Sequence, residues 1–323
     1  MISPTLKQLR TTADFVHSVL PPTPQIRWPL LCQRTGAEVW VKHENHLPVG
    51  AFKVRGGLVY MSELKQREPN VAGVIAATRG NHGQSIAFAA GRTGLRAVIV
   101  VPHGNSVEKN AAMQALGAEL VVHGNDFQDA LEHARELAEK EKLHFVPSFA
   151  EPLVQGVATY ALELFDNVAD LDAVYVPIGM GSGACGLVAA RDALGLQTEI
   201  IGVCATGAPA FALSFEAKRQ ITTDIVNTMA DGISCRVPDP QALELVLSGV
   251  TKILTVTDEE ICAAIRYLFA DTHNVAEGAA AAPLAALLQE RTRMQGRRVA
   301  LILSGGNIDS DLFAATLQGQ GKQ

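Results

Sequence analysis

The sequence lacks most features that would point to a partner larger than a small molecule. Lysine and arginine (27) are outnumbered by aspartate and glutamate (33), and no block of basic residues occurs. Nothing therefore matches a nucleic-acid backbone or an anionic membrane surface. The five cysteines, Cys32, Cys185, Cys204, Cys235 and Cys262, are scattered and free of any C-x-x-C spacing. That excludes a disulfide framework and a zinc knuckle, and reduced, mostly buried thiols are expected. The longest nearly apolar run, Gly278 to Leu288, contains Pro283. It falls short of the ~20 residues that cross a bilayer and reads as a buried alanine-rich helix. The first ten residues hold no apolar core of signal-peptide length, since Lys7 and Arg10 interrupt it, so the expected location is cytoplasmic. What is present is 323 residues, 48% of them hydrophobic. This suffices for a substantial core in two domains around a small-molecule ligand.

Between Val71 and Ser148 strand and helix patterns alternate: strands at Gly73 to Ala77, Ala97 to Val101, Glu119 to Val122 and His144 to Val146, with helices at Gly83 to Arg92, Val107 to Leu116 and Phe127 to Lys140. In the last helix Phe127, Leu131, Ala134, Leu137 and Ala138 form one apolar stripe. Such alternation implies a parallel, helix-covered sheet. A second set of strands is expected at Val39 to Lys42, Ala173 to Pro177, Glu199 to Cys204, Ile253 to Val256 and Val299 to Leu303. The reading is an α/β protein of two domains: residues 1–72 and 149–323 form the larger, and residues 73–148 are inserted as the smaller. The cleft between them is the natural ligand site.

Four segments carry chemistry. Lys53, in Gly50-Ala51-Phe52-Lys53-Val54-Arg55-Gly56-Gly57, stands among small and apolar neighbours. A desolvated lysine loses its proton more easily and can attack a carbonyl as a Schiff-base nucleophile; seen alone it would be a surface charge. Gly179-Met180-Gly181-Ser182-Gly183 follows a strand and opens a helix, where backbone amides converge on a phosphate. The literal G-x-G-x-x-G of Gly181, Gly183 and Gly186 does not indicate a dinucleotide, because the next strand ends Gly202-Val203-Cys204-Ala205 with no carboxylate. Thr78-Arg79-Gly80-Asn81-His82 also lies between a strand and a helix; it suits a carboxylate and a phenolic oxygen, or serves only as an N-cap loop. Ser304-Gly305-Gly306-Asn307 follows the last strand and alone would be a turn. Three ligand-shaped loops and one desolvated lysine point together to a phosphorylated aldehyde cofactor.

On these residues the chain resembles the serine/threonine dehydratase family of fold-type II pyridoxal 5'-phosphate enzymes, which are tryptophan synthase β-like. The family includes threonine deaminases, serine racemases and phenylserine dehydratases. The stretch from Lys42-His43-Glu44-Asn45 to Gly57 resembles the cofactor-lysine motif, and Gly80-Asn81-His82 the substrate-carboxylate loop. Gly179 onward resembles the phosphate loop and Ser304 onward the ring-nitrogen motif, while Pro102 to Glu119 resembles the small domain. The resemblance implies that Lys53 is the catalytic, cofactor-bearing lysine and that Phe52 packs beside the ring. It implies that Asn81 bonds the ring hydroxyl, Gly179, Met180, Gly181, Ser182 and Gly183 hold the phosphate, and Ser304 faces the pyridine nitrogen. Thr78, Arg79, Gly80, Asn81 and His82 would bind the substrate. A neutral hydroxyl at the ring nitrogen makes a weaker electron sink and favours β-elimination over transamination.

The implied activity is that of a dehydratase, or ammonia-lyase. It would eliminate water from a β-hydroxy-α-amino acid such as threonine, serine or 3-phenylserine to give a 2-oxo acid and ammonia. The freed Lys53 amine would take the α-proton and the cofactor phosphate would protonate the leaving hydroxyl. Alternatives are a racemase, a β-replacement enzyme, a 3-hydroxyaspartate dehydratase or, from another class, a binding protein without turnover. A homodimer is also implied.

Some positions depart from the family. Arg79 stands where relatives have serine or alanine, and a permanently protonated guanidinium is a poor acid/base, which argues against racemisation. It would either pair with a carboxylate of the other domain or meet the substrate directly, and in the second case it would suit an acidic one such as 3-hydroxyaspartate. Ala51 replaces a serine and favours an apolar β-substituent. Cys204 and Ala210 replace carboxylates of the metal-binding members, so no metal is expected there. The chain ends soon after Ser304, so feedback inhibition through a C-terminal regulatory domain is not expected.

Overall fold

The computed structural model describes residues 4–319. In chain order its strands are β1 (Gln25–Arg27), β2 (Glu38–His43), β3 (Gly73–Ala77), β4 (Arg96–Val101), β5 (Glu119–Val122), β6 (His144–Phe145), β7 (Ala173–Pro177), β8 (Glu199–Ala205), β9 (Lys252–Val256) and β10 (Arg298–Leu303). They form two sheets, ordered β1-β2-β10-β7-β8-β9 and β5-β4-β3-β6. Every pairing is parallel except that of β1 with β2. The α/β class and the mostly parallel sheets follow the expectation from the sequence. The edge strand β1 does not: it is three residues long and lies amid Pro21, Pro22 and Pro24, where no alternation of polar and apolar residues marks a strand.

Helices cover both faces of each sheet, which is why the strands are almost continuously apolar. In β7, Val174 and Val176 enter one core cluster with Ala300 and Ile302 of β10, while Ala173 and Tyr175 enter the opposite cluster with Val299, Leu301 and Leu303. The smaller sheet repeats the arrangement, with Val74, Ala76 and Ile99 on one side and Ile75, Ala77, Val98 and Val100 on the other. The alanine-rich helix runs Gly278–Gln289 and is buried along most of its length, including Pro283. Small side chains let it lie close against the larger sheet.

A charged cluster lies inside this apolar framework. Arg55, in the first turn of the helix Lys53–Arg67, is fully buried. Its guanidinium donates to Glu44 (2.7 Å) and Glu163 (2.6 Å). Lys42 Nζ donates to Glu163 and to the carbonyl oxygen of Thr23. The cluster ties β2, the Lys53 helix and the helix Glu151–Asn167 together. Burial alone would raise the pKa of Glu163, but the charges of Arg55 and Lys42 outweigh it and hold the carboxyl at about 2. A carboxylate depressed below its unfolded value of 4.5 stabilises the fold above that pH, and the contribution is lost as pH falls toward 2. Urea denaturation across this window is expected to show falling stability. In Glu163→Gln the protein should be less stable at pH 7 and its stability less dependent on pH in the same window.

Candidate active site

Three adjacent strands, β2, β10 and β7, run parallel, so the loops after their C-terminal ends emerge side by side. Those loops are the lysine segment, the Ser304 segment and the glycine loop. The first two are joined by backbone bonds: Phe52 N–H donates to the Ser304 carbonyl (3.0 Å), and Gly306 N–H donates to the Gly50 carbonyl (2.9 Å). Asn307 Nδ2 donates to the Val49 carbonyl (2.8 Å), and Ala51 bridges Gly305. Ala51 is buried, and a Cβ on Gly305 would lie 3.1 Å from its methyl group, so Ala51 serves the contact between the two segments.

Lys53 is the first residue of its helix. Its Nζ donates to Ser182 Oγ at 2.9 Å and lies 4.9 Å from the centre of the Phe52 ring. Burial pulls the amine down to about 8 against the opposing charge of Glu277. The glycine loop closes onto the helix Ser182–Ala193, whose N-cap, Gly181, has the left-handed φ of 95° that a side chain would strain. A Cβ on Gly179 would lie 2.2 Å from the Gly232 carbonyl oxygen, so the backbone can take this path only without one. Tyr160 Oη pins the loop by donating to the Gly183 carbonyl (2.9 Å).

The Thr78 to His82 loop follows β3. Thr78 Oγ1 accepts from the amides of Gly80 (2.9 Å) and Gly83 (3.2 Å), so this hydroxyl shapes the loop. Asn81 and His82 open the helix Asn81–Arg92, where first-turn amides have no partner within the helix. The helix therefore starts before the expected Gly83. His82 is buried and its Nε2 has no partner; burial and the charge of Lys53 lower its pKa to about 3, so the ring is neutral. Arg79 Nε donates to Asp231 (3.2 Å), a carboxylate ion pair, which was one of its two expected roles.

Asn81 is fixed at both ends of its amide. Nδ2 donates to Glu277 (2.6 Å), and Oδ1 accepts from Asn307 Nδ2 (2.8 Å). Lys109 Nζ stands 3.5 Å from Glu277 and 3.6 Å from Asp231. Burial raises the pKa of Glu277 despite Lys109. The pKa of Lys109 is itself raised, because Glu277 and Asp231 outweigh its own burial. Glu277, Lys109 and Asp231 were not anticipated from the sequence. One available signal was a carboxylate inside the apolar run Val275-Ala276-Glu277-Gly278-Ala279.

A family model described as pyridoxal-phosphate dependent enzyme matches residues 17–305. The chain belongs to this pyridoxal-phosphate-dependent family. It is 33% identical over 310 residues to the L-threonine ammonia-lyase of Thermotoga maritima, covering 96% of this chain and 77% of that protein. It is 32% identical over 297 residues to the biosynthetic L-threonine dehydratase of Haemophilus influenzae, covering 91% of this chain but only 58% of the relative. The solved processed form of threonine deaminase isoform 2 from Solanum lycopersicum superposes with a TM-score of 0.89 at 29% identity, covering 99% of this chain and 95% of that one.

The site suits the family's cofactor, pyridoxal 5'-phosphate. Its aldehyde and phosphate arm sit on adjacent ring carbons, so a lysine that binds the aldehyde must bring its amine beside the phosphate cradle. The 2.9 Å contact between Lys53 Nζ and Ser182 Oγ meets that requirement. Cys204 is buried, and burial pushes its thiol up to about 12. Among the described residues all five cysteines are free.

Proposed function

We propose that this enzyme is an ammonia-lyase that dehydrates a β-hydroxy-α-amino acid, threonine first among the candidates, to a 2-oxo acid and ammonia. The observation that carries this reading is the Lys53 amine of a half-buried side chain, held at the glycine loop with its proton easily lost near neutral pH. When bound, the cofactor supplies the electron sink that acidifies the α-carbon. The neutral Lys53 amine takes the α-proton. Amides of Asn81 and His82 at their helix N-terminus bind the substrate carboxylate, and the neutral His82 ring adds no charge there. Met180 and its glycine neighbours enclose the phosphate, Phe52 flanks the ring, and Ser304 offers the ring nitrogen a neutral hydroxyl.

Asn81 Nδ2 gives one N–H to Glu277, so Asn81 has one N–H left to offer a ring oxygen. The division into residues 1–72 with 149–323 and 73–148 belongs to the same reading, supported by the two sheets. So do a homodimer and a cytoplasmic location; no helix among the described residues is long and apolar enough to cross a membrane. Ammonia and 2-oxo acid release across threonine, serine and 3-phenylserine tests the activity. Release from none of them would rule out the dehydratase.

Arg79 bears on substrate choice. With its guanidinium paired to Asp231, it is not a free cation awaiting a second carboxylate. The enzyme is expected to show no preference for 3-hydroxyaspartate over threonine in kcat/KM, and Asp231→Asn should raise that ratio by freeing Arg79. A tenfold or greater wild-type preference for 3-hydroxyaspartate (about 1.4 kcal/mol) would overturn this assignment.

A further inference from the structure

We propose that Ser182 is a positioning residue for Lys53: its hydroxyl holds the lysine nitrogen against the phosphate cradle whenever that nitrogen is not bound to the cofactor. The proposal rests on the reading above, in which one amine both captures the cofactor and takes the α-proton.

The geometry is specific. Ser182 is 2% exposed and occupies the first turn of a twelve-residue helix. Its Oγ accepts from Lys53 Nζ at 2.9 Å, the one hydrogen bond that Nζ makes among the described residues. The Phe52 ring and the charge of Glu277 also attract the ammonium, and the neutral His82 ring faces it, but none of these hydrogen-bonds to Nζ or fixes its direction. Without the serine, the nitrogen of a four-carbon chain would keep no hydrogen bond to a side chain among the described residues. The hydroxyl has capacity left over: it accepts from Nζ, while its own proton has no acceptor among the described residues. It lies in the loop Gly179 to Gly183, whose converging amides suit an anionic oxygen. Ser182 is the one residue of that loop whose side chain can donate a hydrogen bond to such an oxygen. A phosphate seated there would use that proton and commit the serine to accepting from Lys53. The nitrogen is then oriented toward the neighbouring ring substituent, the aldehyde.

The test uses the full chain freed of cofactor and follows its capture of pyridoxal 5'-phosphate by absorbance as a function of pH. In the wild type the rate rises with pH through a midpoint near 8 as the amine loses its proton. In Ser182→Ala the plateau rate is expected to fall about tenfold or more, since the nucleophile is no longer oriented. Its midpoint should also move to lower pH, because the ammonium form loses its hydrogen-bond acceptor. Ser182→Thr keeps the hydroxyl and is expected to restore both. An unchanged plateau and midpoint in Ser182→Ala overturns the proposal. So does a lower plateau with an unmoved midpoint and a parallel loss of inorganic phosphate binding, which would assign the serine to the phosphate alone. If Ser182→Thr does not fold, the alanine arm decides. No amino acid takes part in this measurement, so its outcome is separable from that of the substrate panel.

Discussion

Lys53→Ala is expected to abolish turnover, with a fall in kcat of at least ~10⁴-fold, because one substitution removes both the covalent anchor and the α-proton base. The loss should be chemical and not architectural. Among the described residues the Lys53 side chain hydrogen-bonds to Ser182 alone, and the backbone joins between residues 50–52 and 304–306 do not involve it. The variant is therefore expected to fold and to retain pyridoxal 5'-phosphate noncovalently on the glycine loop, releasing it on dialysis. Lys53→Arg should not rescue activity, since a guanidinium stays protonated and cannot act as nucleophile or base. Unchanged steady-state activity in Lys53→Ala is incompatible with the mechanism.

Arg55→Met is expected to have the largest effect on stability, a loss of about 3–5 kcal/mol, the range for breaking a buried ion cluster by removing one partner. Arg55 donates to both oxygens of Glu44 (2.7 and 3.0 Å), to both oxygens of Glu163 (2.6 and 3.0 Å) and to Thr159 (3.0 Å). With methionine in its place, two buried carboxylates are left with Lys42 as their cation partner in the cluster. Arg55→Lys should recover little, because one ammonium cannot fork across two carboxylates. Adding Glu163→Gln to Arg55→Met should return part of the loss by removing one uncompensated charge. Urea denaturation checks this through a lower midpoint at unchanged slope. A loss below about 1 kcal/mol would show that the cluster is worth no more than a surface pair.

Much of the fold was readable because the strands are buried on both faces. Gly73–Ala77, Glu119–Val122 and Ala173–Pro177 have the bounds their apolar runs predict. β1 was not readable, since its place as an edge strand depends on β2 and on no pattern of its own. The start of the Asn81 helix was placed late because Gly83 looks like a helix breaker. The break comes instead at Gly80, whose φ of 156° supplies the turn. Within the site, loops at strand ends carry their own signatures, and Lys53, the glycine loop and Ser304 are recognisable from them. Glu277, Lys109 and Asp231 are single charges on separate elements, and they acquire a shared role only when packing brings them to Asn81 and Arg79. The sequence also left the role of Arg79 open between a carboxylate partner and the substrate; its pairing with Asp231 depends on how two distant segments fold together.

The central claim is that Lys53 carries the cofactor, and borohydride reduction of the holoenzyme followed by peptide mapping tests it most directly. Reduction is expected to fix pyridoxyl phosphate on the peptide containing Lys53 and nowhere else. A label on any other lysine, including the nearby Lys109, would contradict it.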